Sequence, residues 1–215
     1  MALITLNTVK PGDVAPRFAL NTDKGSFFRI RLRWNGKADL DLHALVTTMP
    51  DTYPTTRPVV NSLDDILSTY NVKRVIRGQQ QGHLVTAADG TFSIHGGALV
   101  HSPDAQDGSA DDDDEFVDMY PDRLIPPPGG AIQIPLVAMV HPSAAAKFFR
   151  DVDSPRLVVE DGAGAVLLNV ELKEKFGDFN GVQAGSIMVT AARSEFVAVG
   201  VGFTGSFNDV LANFA

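Results

Sequence analysis

Hydrophobic and polar residues alternate with a period of two along much of the chain. Residues 27–34 read FFRIRLRW, with apolar and basic residues alternating from Phe28 onward. This alternation predicts a half-buried strand whose arginines point away from the core. Similar β-competent segments are predicted at 40–48, 72–77, 83–87, 91–94, 131–140, 156–160, 165–172, 186–192 and 195–199.

Turn residues separate these segments, and helical patterns are few. Asp89-Gly90 predicts a hairpin turn, residues 161–164 (DGAG) predict a turn between two strands, and Pro135 predicts an edge position or a bulge. Short helices are predicted at 62–70, 143–149 and 206–214. The fold expected is all-β: a β-sandwich of two antiparallel sheets with a few short helices, including a C-terminal one.

The length of 215 residues suits one large all-β domain. We expect a single domain over residues 1–215, with an irregular, proline-containing insertion around 48–82. The first residues lack the basic and long apolar regions of a signal peptide. The longest uncharged stretch, 124–146, contains five prolines, so no membrane span is expected. With no cysteine in the chain, a cytoplasmic location fits these patterns.

Charge is distributed unevenly along the chain. There are 18 bases and 26 acids, a net charge of −8, and the window 104–118 alone holds eight acids and no base. Outside that window 18 acids face 18 bases. This acidic balance argues against a general nucleic-acid binder, since phosphate contacts need clustered lysine and arginine. The lack of cysteine excludes disulfides, thiolate metal sites and a cysteine nucleophile.

The acidic window and an upstream acidic pair are the candidate chemistry. Hard divalent cations prefer several oxygen ligands from a flexible loop, and the loop at 101–115 has many carboxylates. Asp39 and Asp41 lie two residues apart, so a strand would place both carboxylates on one face. Two interpretations stay open from the residues alone: a calcium site, or an acidic loop solvated by water. The spacing does not fit an EF-hand.

Other motifs carry little chemistry. The GxGxxG at 200–205 lies ten residues from the end, so no βαβ unit can follow it, and a tight turn is the better interpretation. The five histidines show no metal-binding spacing. No GxSxG, P-loop or local Ser/His/Asp signature is present, and we therefore predict no enzymatic activity.

Three segments share a pattern with one known family. Residues 38–41 (ADLD) match a Phe-Asp-Leu-Asp strand, residues 101–115 align without a gap with an acidic loop, and residues 195–203 are similar to a closing strand. Together they resemble the TerD family, the calcium-binding tellurium-resistance and stress proteins of bacteria. The resemblance implies a β-sandwich with calcium between the strand and the loop. The implied ligands are Asp39, Asp41, Asp104, Asp113, Asp114 and Glu115, with Asp107 and Asp111 next.

The loop departs from the family pattern at four positions. Pro103 and Ala105 stand where the family has glycine and asparagine, and Asp107 and Asp112 replace threonine and glycine. One of the family's calcium sites is therefore expected to differ here. The function implied is a non-enzymatic calcium-binding protein of stress or tellurite resistance.

A second function class remains open: a structural or assembly protein, for example of a phage particle and hence located in the virion. The lost asparagine, the insertion and the proline-rich segment 126–128 motivate this alternative. The partners expected are calcium ions together with other proteins or further copies of the chain, with no nucleic acid and no membrane span.

Overall fold

The computed structural model describes residues 2–4, 6, 15–20, 27–49, 58–105, 107 and 115–214. The strands of this part, β1 to β16 in chain order, are Ala2–Ile4, Arg17–Leu20, Phe28–Asn35, Leu40–Leu45, Thr47–Met49, Ile66–Leu67, Arg74–Ile76, Gln79–Gln81, Phe92–Ile94, Leu99–His101, Glu115–Met119, Ala131–Val140, Asp153–Asp161, Val166–Glu171, Gly181–Val189 and Ser194–Phe203. The helices are α1, Lys173–Phe176, and α2, Phe207–Leu211. Single 3₁₀ turns occur at Leu63–Asp65, Thr69–Asn71, His95–Gly97, Pro121–Arg123, Phe149–Asp151 and Ala212–Phe214.

The strands form two large sheets and one separate hairpin. The first sheet has the order β1-β14-β13-β3-β11-β10-β9, and the second has the order β2-β16-β15-β12-β4-β6, with β5 also paired to β12. Neighbouring strands are antiparallel except β1, which runs parallel to β14. The hairpin consists of β7 and β8. The predicted β-sandwich is confirmed, with the parallel pair at one edge as the difference.

Strand β3 shows why the period-two segments become strands. Its apolar residues Phe28, Ile30 and Leu32 are fully buried between the sheets. Its arginines lie on the outer face: Arg29 donates to both carboxylate oxygens of Asp118 at 2.7 Å, and Arg31 donates to a carboxylate of a neighbouring strand at 2.9 Å. The alternation therefore separates the core from a ladder of outer ion pairs, as predicted.

Strand β12 is central in its sheet, between β15 and β4. Its pairing with β15 shifts register between Pro135 and Val137. Of the two interpretations of Pro135, the bulge is therefore correct and the edge position is wrong. The predicted C-terminal helix is also confirmed, because Ser206 accepts from the Asp209 amide and the Asp209 carboxylate accepts from the Ser206 amide in a capping box.

Three local predictions differ from the structure. No helix forms at 143–149, because the Asp151 carboxylate accepts the backbone amides of Lys147 and Phe148 at 3.1 Å and holds them in a turn. Residues 83–87 form no strand, and only Leu84 makes an isolated bridge. The helix expected at 62–70 is instead two 3₁₀ turns separated by β6.

The GxGxxG segment serves packing. A Cβ on Gly200 would lie 2.4 Å from the Phe176 ring, and one on Gly202 would lie 2.4 Å from the Phe179 ring. These two positions of β16 must therefore lack side chains so that the aromatic residues at α1 can cover the sheet. Both α-helices have five residues or fewer, and none in the described part of the chain could cross a bilayer.

Candidate metal centre

Three carboxylates meet at the seam between the two sheets. Asp41 lies on β4 of the second sheet, Asp104 follows β10 of the first sheet, and Glu115 begins β11. One oxygen from each carboxylate lies within 4.8 Å of the others. Asp41 and Glu115 are buried, whereas Asp104 is exposed. The fold therefore joins the upstream acidic strand to both ends of the acidic loop.

The root of the acidic loop is held by backbone pairing. His101 of β10 pairs with Val117 of β11. One step further, the Ser102 amide donates to the Phe116 carbonyl at 2.9 Å, and the Phe116 amide donates to the Ser102 hydroxyl at 3.1 Å. This double contact closes the loop and sets where the side chain of Glu115 enters the seam.

The two carboxylate oxygens of Glu115 differ in their hydrogen bonding. Its Oε2 accepts from the Leu42 amide at 2.5 Å. Its Oε1 is buried and has no hydrogen bond of normal geometry within the described residues. Burial, followed by the negative charge of Asp41, raises the pKa of Glu115 well above its usual range. A buried carboxylate with an unpaired oxygen is costly, and a cation at this position would satisfy it.

His101, like Glu115, contacts the backbone of Leu42 on β4. Its Nε2 lies 2.8 Å from the Leu42 carbonyl and its Nδ1 lies 2.8 Å from the Ser102 carbonyl. Burial lowers the pKa of His101, and the two carbonyl contacts oppose that shift. Both ring nitrogens face carbonyl oxygens, and a neutral imidazole can donate to only one of the two. His101 contacts the backbone around the site and is not one of the three grouped ligands.

His101 and Glu115 take the place of a neighbouring strand beside Leu42 of β4. In the second sheet, β6 pairs only with Ala44 and Leu45 of β4. Leu42 lies beyond that pairing, and its amide and carbonyl contact Glu115 and His101 instead. The two side chains thus make the two hydrogen bonds that an antiparallel neighbour would otherwise make. Nothing in the sequence signals this role, since it depends on two sheets meeting.

Asp41 is held by two donors that sequence reasoning missed. Thr69 Oγ1 donates to one carboxylate oxygen at 3.0 Å, and Tyr70 Oη donates to the other at 2.7 Å. Burial raises the pKa of Asp41 to about 6, while these hydrogen bonds act in the opposite direction. Both donors come from the 3₁₀ turn Thr69–Asn71, within the segment 48–82 that was predicted to be an insertion. The contact spans 28 residues of sequence, so no local pattern could reveal it.

Asp39 lies beside the cluster and has its own partner. Its Oδ2 is 3.2 Å from Nδ1 of His141. Burial raises the pKa of Asp39, His141 lowers it, and the charges of Asp104 and Asp107 raise it further. Asp39 and Asp107 are therefore electrostatic neighbours of the three central carboxylates. The other loop residues predicted as ligands lie outside the described part of the chain: Asp111, Asp113 and Asp114.

The fold and site define a class: a β-sandwich whose seam gathers carboxylates from a DLD strand and an acidic loop. No family model and no curated protein sequence matches the chain. Its fold is similar to that of a Streptomyces coelicolor protein, SCO6318, described as a homologue of the telluride resistance protein TerD, at 19% identity and a TM-score of 0.55 over 86% of this chain and 95% of that one. It is also similar to a protein of unknown function, SAV2460, at 15% identity and a TM-score of 0.58 over 87% and 96%. The TerD-like fold is thereby confirmed.

Proposed function

We propose that this chain is a non-enzymatic calcium-binding protein of the TerD type. The observation that carries the proposal is the buried Glu115, whose Oε1 has no hydrogen bond of normal geometry within the described residues and whose carboxylate lies within 4.8 Å of two others. Asp41, Asp104 and Glu115 are the central ligands. Asp39, Asp107 and the loop residues Asp111, Asp113 and Asp114 complete the acidic environment of one or more ions.

The donor set favours calcium over softer metals. All three central ligands are carboxylates, which suit hard cations, and the chain has no cysteine. Both nitrogens of His101 face backbone carbonyls, and His101 is not one of the three grouped ligands. Thr69 and Tyr70 orient Asp41 in the way that second-sphere donors orient metal ligands. The bound ion would link the two sheets where β4 and β11 meet.

Calcium also compensates for the cost of the buried charge. With its pKa raised from 3.8 to about 6, Asp41 costs about 3 kcal/mol more to keep ionised at pH 7 than an ordinary aspartate. Glu115 adds to this cost. A divalent ion neutralises both, which makes metal binding and stable folding of the seam a linked equilibrium.

We assign the physiological role to stress or tellurite resistance in the cytoplasm. This part of the proposal rests on the resemblance of the acidic loop and on the fold shared with a homologue of a telluride resistance protein. A host strain carrying the gene should tolerate more tellurite than one carrying the Glu115→Gln variant at equal protein level. Equal tolerance of both strains would refute the assigned role and leave calcium binding intact.

Calorimetric titration tests the metal site directly. We expect calcium to bind the full chain and Asp41→Asn to weaken binding at least about tenfold, because one central carboxylate charge is lost. Glu174→Gln, an exposed acid on α1, serves as the matched control and should bind like the unaltered chain. Absence of a binding isotherm for the unaltered chain would contradict the proposal.

Acidification should release the metal. Because the folded pKa of Asp41 is about 6 and that of Glu115 is also raised, the metal-free seam holds protons near pH 6 that calcium must displace. Calcium affinity is expected to fall as the pH drops through 6. Titrations at pH 6 in buffers of different ionisation enthalpy should show proton release, and a buffer-independent heat would contradict this.

The same pKa values determine the stability of the metal-free protein. A raised carboxylate pKa means that the folded state binds more protons than the unfolded state in the window between 3.8 and about 6. The contribution of Asp41 to the free energy of unfolding therefore decreases as pH rises through that window. Saturating calcium should reverse this trend, which urea unfolding at pH 5 and pH 7 can measure.

A further inference from the structure

The hairpin of β7 and β8 is an exposed arm. All six of its strand residues are exposed, including Val75 at 74% and Ile76 at 37%. Close to its base Val85 is 68% exposed. Within the described residues, each of the two strands pairs only with the other, so both outer edges of the hairpin are open. We call residues 73–81 the arm.

The root of the arm is rigidly built. The His83 and Leu84 amides both donate to the Asn71 carbonyl, at 2.7 and 2.8 Å. Gly82 has a φ of +79°, and a Cβ there would lie 2.1 Å from the Val72 carbonyl oxygen. Only glycine fits this position. The arm therefore projects from a defined base and is not a loose loop.

An arm of this kind is poorly stabilised by itself. A lone two-stranded hairpin is marginally stable in water, and open strand edges with exposed apolar side chains are sites where other chains add. Burial of Val75 and Ile76 against a partner would remove their apolar surface from water. The arm thus has the properties of an interaction surface.

Charge indicates the kind of partner. Residues 66–88 contain three bases, Lys73, Arg74 and Arg77, and no acid. The rest of the chain contains 15 bases and 26 acids, a net charge of −11. A basic arm on an acidic body gives each copy of the chain a surface complementary to another copy.

We infer that the arm docks on the acidic body of a second copy of this chain. Direct pairing of two arms would oppose their bases, so the arm of one copy contacts a different surface of the next. Such a contact forms a two-fold dimer when it is reciprocal, and rings or open filaments when it is not. This inference concerns assembly and requires no bound metal ion, although eight of the 26 acids of the chain lie in the window 104–118.

Sedimentation velocity of the full chain over a wide concentration range tests the inference. We expect association beyond the monomer at about 50 mM NaCl that weakens at about 500 mM, since salt screens exposed charges. The double variant Arg74→Glu/Arg77→Glu, and separately Val75→Ser, should weaken association at least about tenfold. All three positions are exposed, so the variants should retain the unaltered melting temperature.

Ile125→Ser provides the matched control. Ile125 is 89% exposed and lies outside the arm, so its loss should leave association unchanged. A chain that remains monomeric at every concentration in low salt would overturn the inference. Association that persists undiminished in both arm variants would overturn it as well. The sedimentation series is repeated with a chelator, so that association through the arm is measured without metal binding.

Discussion

Saturating calcium is expected to raise the melting temperature of this protein by about 5 to 10 °C, and Glu115→Gln is expected to abolish that rise. A ligand at 100 times its dissociation constant stabilises the folded state by about 2.7 kcal/mol. For a chain of this size, each kcal/mol shifts the melting temperature by about 2 to 4 °C. Glu115 carries the effect because its buried Oε1 has no hydrogen bond of normal geometry within the described residues.

The metal-free form of the same variant provides the sharper criterion. Glu115→Gln removes a buried carboxylate whose pKa is strongly raised, while the amide oxygen that remains can still accept from the Leu42 amide. Without calcium, at pH 7, Glu115→Gln should therefore be at least as stable as the unaltered chain. Thermal unfolding of the unaltered chain and of Glu115→Gln, each with calcium and with EDTA, gives the four melting temperatures. Glu174→Gln is the control. A variant that keeps the calcium shift would disprove this account.

Gly185→Ala is expected to reduce the free energy of unfolding by about 3 to 5 kcal/mol, through backbone strain and overpacking together. Gly185 has a φ of +111° and lies at the register shift of β15 against β16. A Cβ there would lie 2.3 Å from Cζ of Phe196, whose ring is fully buried. Neither the backbone nor the ring can move without disturbing the core.

Two further variants separate the causes of that loss. Gly164 also has a positive φ, +82°, but a Cβ added there would meet no described atom within 4 Å. Gly164→Ala should therefore cost only about 1 kcal/mol, from backbone strain alone. Combining Gly185→Ala with Phe196→Leu should recover part of the loss, as a favourable coupling energy in urea unfolding. If the effects of the two substitutions on the free energy of unfolding were strictly additive, the contact with the Phe196 ring would not be the cause of the loss.

The strand pattern was predictable because each strand has one face in the core. The alternation around Phe28 and the bulge at Pro135 follow from local rules of burial and hydrogen bonding. The wrong helix at 143–149 shows the limit of those rules. There the Asp151 carboxylate accepts hydrogen bonds from two backbone amides, and a turn forms in place of the helix. Sequence periodicity contains no information about which of the two hydrogen-bonding patterns prevails.

The candidate site was predictable only in its charges. The acidic pattern and the family resemblance indicated Asp41, Asp104 and Glu115, which the fold brings within reach of one ion. The roles of Tyr70 and His101 could not be predicted, because each contacts β4 across tens of residues and from a different sheet or turn. A polar residue in a segment without clear periodicity looks the same in sequence whether or not it orients a carboxylate.

The substitution of two side chains for a strand beside Leu42 has a consequence for solubility. An unpaired stretch of strand edge is a template on which another chain can add and aggregate. His101 and Glu115 close that edge by occupying the Leu42 carbonyl and amide. The residues that form the carboxylate seam therefore also protect this strand edge against the addition of another chain. Replacing either one with alanine would leave a buried polar group of Leu42 without its partner, even in a chain whose core remains fully folded.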